Sequence, residues 1–394
     1  GVVATGELKR LIDEYAVSGV VASPLLMARA ISGAAEYDDD ISVLLKEGID
    51  DAEIAWRLMA RDARHAADAL LPLWKLSNGF DGFVALEAIS TEVSGAPSMA
   101  DEARRLVKAV DRPNLLVKVP ATDEGLEALE ELTGEGVGVC ATLIYSVKRF
   151  EAAVVAYLRG LERRAEEGLP IDTVPCVVSF SVSTVDTVFD RTLEERVEHS
   201  KSNDEKARLR ALIGKAAVAS ARQAFLKHEE ACSSARFKKL KASGAKPPRL
   251  LFASTGTKNH LYSEIKYVEE LAFAGTINAM PLHTLLAFHS HGRPVAHPAS
   301  ELDAAKKFFE ELRGLGIDYA ALTERLEAQG LKSLAASHEA LVRAIGERRG
   351  ALSKKTGPSL KFTLNAFESS VEEALDSVIS EEFFRKLIAK DAGL

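Results

Sequence analysis

A lysine inside an apolar strand pattern is the residue of this sequence best suited to chemistry. Lys118 lies in the run Leu115–Pro120, which reads Leu-Leu-Val-Lys-Val-Pro. Burying an ammonium group is costly, so such a lysine either has a depressed pKa or requires a partner of opposite charge. A neutral lysine amine can attack a ketone or aldehyde and form a Schiff base. The alternative is a lysine at a strand end that points into solvent and performs no chemistry.

A glutamate in a second apolar run favours the chemical interpretation of Lys118. Glu87 lies in Val84–Ala88, 31 residues before the lysine, so two neighbouring strands could present both charges to one interior. A carboxylate near a lysine can hold a water molecule and move protons while a Schiff base forms and hydrolyses. Thr142, in Cys140–Ile144, adds a hydroxyl that could orient this water. The alternatives are a buried ion pair without chemistry and an ordinary strand threonine.

These residues lie in a chain that alternates short β-branched runs with longer helical stretches, which predicts βα units around a parallel sheet. We predict an α/β fold, and a doubly wound sheet is an alternative that the absence of GxGxxG and GxxxxGK[ST] weakens. Seven strand candidates are visible, one fewer than a (β/α)8 barrel needs: Gly19–Ala22, Phe83–Glu87, Leu115–Val119, Gly138–Ile144, Pro175–Phe180, Leu250–Ser254 and Thr276–Met280.

Two segments depart from the βα alternation. From about residue 191 to 246 the pattern is long, charged and helical, which predicts an inserted helical region outside the sheet core. Near the carboxyl terminus, Arg349–Pro358 reads as a linker, and Phe362–Leu394 as an amphipathic helix or helix pair. We therefore predict a barrel domain over residues 1–348 and a linker with a helical extension over residues 349–394.

Composition excludes several classes of partner. The 50 Lys+Arg and 58 Asp+Glu residues give a formal charge of −8, which provides no general attraction for nucleic acid. No apolar run approaches the roughly 20 residues of a membrane span, so we expect no membrane partner. Three cysteines without metal-ligand spacing fit a reducing compartment, and we predict no metal. We expect the cytoplasm or an organelle interior, including the plastid stroma if a transit peptide has been removed.

Taken with its neighbours, the lysine segment resembles the transaldolase family, in particular its longer bacterial and plant type. The similarity extends over roughly residues 7–342, with motifs in matching order. The segments that carry it are Asp81–Glu87, Pro113–Glu124, Thr142–Ser146, Ala156–Glu162, Val178–Asp190, Gly214–Ala224, Phe252–Asn259, Tyr267–Glu269 and Thr276–Pro281.

The resemblance implies a (β/α)8 TIM barrel with its active site at the carboxyl ends of the strands. It implies that Lys118 is the Schiff-base lysine, which moves a dihydroxyacetone unit from a ketose phosphate to an aldose phosphate without a cofactor. Glu87 and Thr142 would handle the catalytic water. Ser179 matches a serine lining the site, and Lys258 and Asn259 match the loop that helps to hold the substrate phosphate.

Several positions depart from the family pattern. The family begins with a strand that carries an acid–base aspartate, and no residue of this sequence matches it. Ser23 replaces a substrate-binding asparagine, Cys140 replaces an asparagine that bonds the substrate, and Ala279 replaces a threonine. Thr184 replaces a phosphate-binding arginine, so a bidentate charged contact becomes at most one neutral hydrogen bond.

These departures affect substrate contacts and leave the lysine, glutamate and threonine in place. We expect a transaldolase-like enzyme with weakened or altered specificity, acting on a sugar phosphate or a related small carbonyl compound. Ordinary transaldolase activity would require the missing strand upstream and Lys258 to compensate for Thr184. The alternative is an inactive, transaldolase-derived pseudoenzyme that serves as a scaffold or regulatory subunit. The extension over residues 349–394 is then the natural place for a protein partner.

Overall fold

The structure is a computed structural model that describes residues 6–33, 35–88, 98–293 and 300–355. Seven parallel strands are hydrogen-bonded in the order in which they occur in the chain, and they form a nearly closed barrel surrounded by helices. The strands are β1 (Gly19–Val21), β2 (Phe83–Glu87), β3 (Leu115–Pro120), β4 (Val139–Ile144), β5 (Cys176–Ser181), β6 (Arg249–Ala253) and β7 (Ile277–Ala279).

In the described residues the helices lie between successive strands, except that one precedes β1 and three follow β7. They are α1 (Glu7–Tyr15), α2 (Pro24–Gly33), α3 (Asp38–Lys46), α4 (Asp51–Leu76), α5 (Met99–Val110), α6 (Asp123–Glu135), α7 (Val147–Glu166), α8 (Ser183–His199), α9 (Asn203–Leu212), α10 (Ala216–Ser233), α11 (Ala235–Ala242), α12 (Lys266–Glu270), α13 (Leu282–His291), α14 (Ser300–Gly314) and α15 (Tyr319–Lys355).

The predicted (β/α)8-type architecture is confirmed, and each of the seven strand candidates coincides with a strand to within about two residues. In the described part of the chain, β1 and β7 are the edge strands, and the further strand that the family pattern contains has no counterpart there. The region expected to be a helical insertion, 191–246, holds the end of α8 and all of α9, α10 and α11.

The chain divides into two units, Gly1–Arg348 and Arg349–Leu394. The first contains the barrel and its helices. Of the second, residues 349–355 are described, and they are the end of α15. The beginning of the expected linker is thus helical. After Gly350 the segment has no glycine or proline before Lys355, so no residue there ends the helix. The predicted helix over Phe362–Leu394 lies outside the described residues.

The barrel interior is filled by side chains from successive strands. Alternate residues of a strand point to the same face, so each strand contributes every second residue to the interior. Phe83 and Ala85 of β2, Leu116, Cys140, Val177 and Leu251 form one apolar cluster, with Ile277 and Ala279 packed against it. This layer supports the next inward residues on each strand, which lie toward the carboxyl ends.

Serine and threonine caps fix where the helices after β3 and β4 begin. Thr122 accepts a hydrogen bond from the Gly125 amide at 3.0 Å and starts α6. Ser146 does the same for the Arg149 amide at 3.2 Å and starts α7. A Cβ at Gly125 would lie 1.8 Å from the Pro120 carbonyl oxygen, so only glycine allows α6 to approach β3 this closely.

Candidate active site

Sheet register brings the three predicted catalytic residues to one place. Glu87 of β2 and Lys118 of β3 are direct Cα partners, and Thr142 on β4 pairs with Pro120 of β3. Ala85 and Leu116, two residues earlier on their strands, point into the apolar layer. Because side chains alternate with a period of two, Glu87 and Lys118 point into the barrel as well, on the carboxyl side of that layer.

Lys118 and Glu87 form a buried ion pair. The ammonium Nζ contacts Glu87 Oε2, and the side chains of Lys118 and Glu87 are 12% and 4% exposed. Burial opposes the charge on Lys118, but the Glu87 carboxylate outweighs it and raises the pKa of the lysine above its ordinary value. The sequence left open a depressed pKa or a partner of opposite charge, and the structure provides the partner. In the unliganded site the lysine is therefore a charged ammonium.

Thr142 reaches the other oxygen of the same carboxylate. Its hydroxyl donates to Glu87 Oε1 at 3.5 Å, at the outer limit for a hydrogen bond. The next residue, Leu143, has φ of +56°, a left-handed conformation that costs a non-glycine residue about 1–3 kcal/mol. The register of β4 against β5 shifts between Ala141 and Ile144, so β4 carries an irregularity beside Thr142. Strain of this kind is characteristic of functional sites.

The remaining residues expected to bind substrate lie in different environments. Ser179 is buried on β5, two residues beyond Val177 and therefore on the inward face. Cys140 is buried in the apolar layer, where burial raises the pKa of its thiol to about 12 and keeps it neutral. Ser23 precedes α2, and its hydroxyl accepts a hydrogen bond from the Leu26 amide at 3.4 Å. A role in substrate binding stays a prediction for all three residues.

Lys258 and Thr184 come together at the carboxyl end of the barrel. The Lys258 ammonium donates to Thr184 Oγ1 at 2.7 Å. The lysine therefore lies beside the position at which the family pattern has an arginine. Partial burial lowers the pKa of Lys258. Thr184 is in the first turn of α8, whose amide dipoles also favour an anion.

The loop that carries Lys258 is anchored to β7 and α8. Ser254 directly after β6 has φ of +55°, which turns the chain sharply at the strand end. The hydroxyl of the buried Thr255 donates to Asn278 Oδ1 at 2.5 Å. The Ser183 amide donates to the Ser254 carbonyl at 3.1 Å, so the loop and the start of α8 are joined directly. These contacts fix the position of the loop that carries the lysine.

A cavity of about 150 Å³ opens beside Lys258, between α8 and the loop that follows β6. Asn259 lines it, although its side-chain oxygen accepts a hydrogen bond from the Leu261 amide at 2.9 Å. Ser183 also lines it, and its buried Oγ has no hydrogen-bond partner among the described residues. A buried hydroxyl without a partner is costly, which marks Ser183 as a residue suited to a ligand that enters the cavity.

Comparison with known proteins decides the family. A family model described as Transaldolase/Fructose-6-phosphate aldolase matches residues 3–345. A protein named Transaldolase from Saccharopolyspora erythraea is 40% identical over 348 residues, covering 87% of this chain and 91% of the relative. Another from Thiobacillus denitrificans is also 40% identical, over 86% of this chain and 93% of the relative. One from Trichodesmium erythraeum is 33% identical, over 88% and 92% respectively.

The chain belongs to the transaldolase/fructose-6-phosphate aldolase family. The resemblance inferred from the sequence motifs is thereby confirmed, and so is the barrel class that it implied. The pseudoenzyme alternative is not favoured, because the relatives carry the name Transaldolase and the lysine, glutamate and threonine are assembled in one cluster.

This family member also contains a buried polar network that the motif analysis did not single out. Asp186 of α8 accepts hydrogen bonds from the Ala217 amide at 2.6 Å and from Tyr267 at 2.8 Å, and it pairs with Lys266. Asp190, one turn later, accepts from Tyr262 at 2.7 Å. Burial raises the pKa of Asp190, partly offset by its hydrogen bonds. Two aspartates in an amphipathic helix pattern are typical of a solvated face, so no pattern in the sequence indicated that they are buried.

Tyr145 and Ser181 form a second group that sequence reasoning missed. Tyr145 follows β4, is buried, and its hydroxyl lies near the side chain of Ser181 on β5. Ser181 is two residues beyond Ser179 and therefore also on the inward face. Nothing in the sequence indicates this contact, since it depends on the direction in which the chain leaves β4.

The described residues contain no group of three or more His, Cys, Asp and Glu side chains that could hold a metal ion. In the same part of the chain, every helix is too short or too polar to cross a membrane.

Proposed function

We propose that this protein is a transaldolase-type enzyme, in which Lys118 forms a Schiff base with a ketose phosphate and transfers a dihydroxyacetone unit to an aldose phosphate. The observation that carries the proposal is the buried Lys118–Glu87 pair, with Thr142 on the second carboxylate oxygen, inside a barrel of this family. Together the three groups supply the nucleophile, the carrier of its proton and a binding position for the catalytic water.

The first task is to make the lysine nucleophilic. Only the neutral amine attacks a carbonyl, and Lys118 begins as an ammonium because Glu87 raises its pKa. The same carboxylate is the nearest acceptor for the proton that must leave. Proton transfer from Lys118 Nζ to Glu87 Oε2 abolishes both charges, so it carries no cost of separating charge in a buried site.

The second task is to remove the carbonyl oxygen. Attack of the amine on the ketose C2 gives a carbinolamine, and protonated Glu87 returns its proton to the departing hydroxyl, which leaves as water. Thr142 lies where its hydroxyl can bind this water beside the carboxylate. In the reverse direction, the same pair directs a water molecule to the iminium carbon and releases the product.

The iminium nitrogen then serves as the electron sink. The electrons of the C3–C4 bond move toward the nitrogen, the C4 hydroxyl gives its proton to the Glu87 carboxylate through the water that Thr142 binds, and an aldose phosphate leaves. The enamine that remains on Lys118 attacks the aldehyde carbon of the acceptor and forms a new C3–C4 bond, and protonated Glu87 returns the proton to the new C4 oxygen. Hydrolysis of the resulting iminium releases the new ketose and restores the lysine.

The phosphate of the substrate would lie near Lys258. One ammonium, the Thr184 and Ser183 hydroxyls and the first turn of α8 could accept it. Lysine is a point charge, whereas arginine holds two phosphate oxygens in a fixed geometry. We therefore propose that phosphate is bound more weakly and with less directional preference than in family members that have the arginine.

The decisive experiment is reductive trapping. The purified protein is incubated with fructose 6-phosphate, and separately with dihydroxyacetone, then reduced with borohydride and analysed by intact mass. We expect one adduct per chain, absent in Lys118→Met and present in the control Lys246→Met. Lys246 is a suitable control because it donates to the Asn78 carbonyl, in the loop that precedes β2. A folded protein that forms no adduct with either compound would overturn the proposal.

A protein partner that binds the extension over residues 349–394 stays a prediction. Its residues beyond Lys355 lie outside the described structure, so the experiment that bears on it is separate. Trapping is compared between the full chain and a chain ending at Lys355. Equal trapping rates would place the role of the extension outside the Schiff-base reaction.

A further inference from the structure

Helix α15 comes very close to the irregular end of β4 at Gly330. A Cβ placed on Gly330 would lie 2.8 Å from the Tyr145 hydroxyl oxygen and 3.2 Å from Leu143 Cδ2. Carbon atoms do not approach neighbours this closely without displacement. The absence of a side chain at position 330 therefore sets how near the helix comes to the residues that follow Thr142.

Tyr145 cannot easily move away from this contact. Its ring is buried, and its hydroxyl lies near the Ser181 side chain. Its carbonyl oxygen accepts a hydrogen bond from the Tyr319 hydroxyl at 3.3 Å, which ties it to the first turn of α15. The side chain and the backbone of Tyr145 are thus both held in place. A displacement of the ring would therefore also displace the backbone of this residue.

The turn at Leu143 is the part of β4 that such a displacement would affect most. Leu143 holds a left-handed conformation that persists only where its surroundings enforce it. The Thr142 hydroxyl, one residue earlier, contacts Glu87 at 3.5 Å, so a shift of a few tenths of an ångström would break the hydrogen bond.

We infer that helix α15 positions Thr142 for the Schiff-base reaction, with Gly330, Tyr145 and Leu143 as its positioning residues. The inference rests on the proposed function, because it concerns the placement of a group that handles the catalytic water. These residues act through Thr142 and the Glu87 carboxylate and need no contact with substrate. A helix far from the lysine in sequence thereby becomes part of what sets the rate.

The test is a double-mutant cycle in the full-length protein. Gly330→Ala introduces the Cβ, and Tyr145→Phe removes the oxygen that lies nearest to it. Gly350→Ala is the matched control, since no atom lies within 4 Å of a Cβ at that glycine of the same helix. The limiting rate and the half-saturating concentration of fructose 6-phosphate are measured by borohydride trapping, together with amide hydrogen exchange over residues 139–147.

We expect Gly330→Ala to lower the limiting trapping rate about tenfold, with the half-saturating concentration changed less than twofold. Exchange over residues 139–147 should increase in that variant. Adding Tyr145→Phe should recover most of the rate and the protection, because the closest contact is relieved. Gly350→Ala should match the wild type. A rate loss in Gly330→Ala without recovery in the double variant, or no loss at all, would overturn the inference.

Tyr319→Phe gives a second measurement that does not depend on introducing a clash. It removes the hydrogen bond to the Tyr145 carbonyl and leaves the ring in place. We expect slower trapping and faster exchange over residues 139–147, and unchanged values of both would contradict the inference. Absence of any wild-type adduct would instead contradict the proposed function, while the exchange data would still report on positioning.

Discussion

Lys118 Nζ contacts Glu87 Oε2 across two neighbouring strands of the barrel, on which Lys118 and Glu87 are direct Cα partners. The contact determines the resting charge of the lysine. Burial without a partner would favour the neutral amine, whereas the carboxylate holds the proton on the nitrogen. In the proposed mechanism, the neutral amine of Lys118 therefore forms only when the proton moves to Glu87, so the group that activates the amine is also the group that later protonates the leaving oxygen.

The first prediction concerns the ionisation of Lys118 in Glu87→Gln. Removing the carboxylate leaves burial as the largest influence, so the pKa of Lys118 should fall from above to below that of an ordinary lysine. Titration of ¹³C-labelled lysine side chains by NMR measures this directly, with Lys118→Met identifying the resonance. A pKa that stays raised in Glu87→Gln would show that another group holds the proton.

The second prediction concerns stability. Because both side chains are largely buried, Lys118→Met leaves an unpaired carboxylate and Glu87→Gln an unpaired ammonium, each expected to cost about 3–5 kcal/mol in the free energy of unfolding. The double variant Lys118→Met/Glu87→Gln leaves neither charge, so it should be more stable than either single variant. Urea unfolding measures all four proteins. Additive losses would indicate that the two charges do not interact.

Much of the fold could be predicted because it depends on local patterns. Short apolar runs separated by helical stretches gave the seven strands, and in a parallel barrel the positions of Glu87 and Lys118 on their strands were enough to bring them together. The family motifs then supplied a chemical role. In each case the relevant information lies in consecutive residues or in the period of two along a strand.

The rest depends on distances that no local pattern contains. The sequence left open whether Lys118 has a depressed pKa or a partner, and the contact with Glu87 decides for the partner. From the sequence, threonine at position 184 removes a charged contact with phosphate. Lys258, 74 residues later in the sequence, reaches the Thr184 hydroxyl at 2.7 Å, and no local pattern reveals this. No local pattern shows that Cys140 packs in the apolar layer of the barrel, and its role in substrate binding stays a prediction.

The third prediction concerns the arginine position of the family. Thr184→Arg should place a guanidinium beside the Lys258 ammonium and add a charged hydrogen bond to phosphate. A bond of this kind contributes about 1.5–3 kcal/mol, so the half-saturating concentration of fructose 6-phosphate in trapping should fall about tenfold or more. Dihydroxyacetone has no phosphate and should be unaffected. Thr192→Arg, on the same helix, is the control. An equal effect on both compounds would show that Thr184 does not face the phosphate.

The fourth prediction follows from the lowered pKa of Lys258. An ammonium binds phosphate and a neutral amine does not, so the half-saturating concentration of fructose 6-phosphate should rise as pH increases through that pKa, below the pH at which an ordinary lysine titrates. The guanidinium of Lys258→Arg remains charged, so this variant should show no such rise. Trapping from pH 7 upward, with dihydroxyacetone as the reference, separates this effect from ionisation of Lys118.

The sign of the same shift can be checked in unfolding experiments. Because Lys258 binds its proton less strongly in the folded protein, the unfolded chain takes up more protons between the two pKa values. This residue therefore increases the free energy of unfolding as pH rises through that interval, while binding of the substrate phosphate weakens. Lys258→Met, which has no proton to lose, should remove the gain. If wild type and Lys258→Met show the same pH dependence of stability, the lysine titrates as it does in water, and the loss of affinity must come from another group.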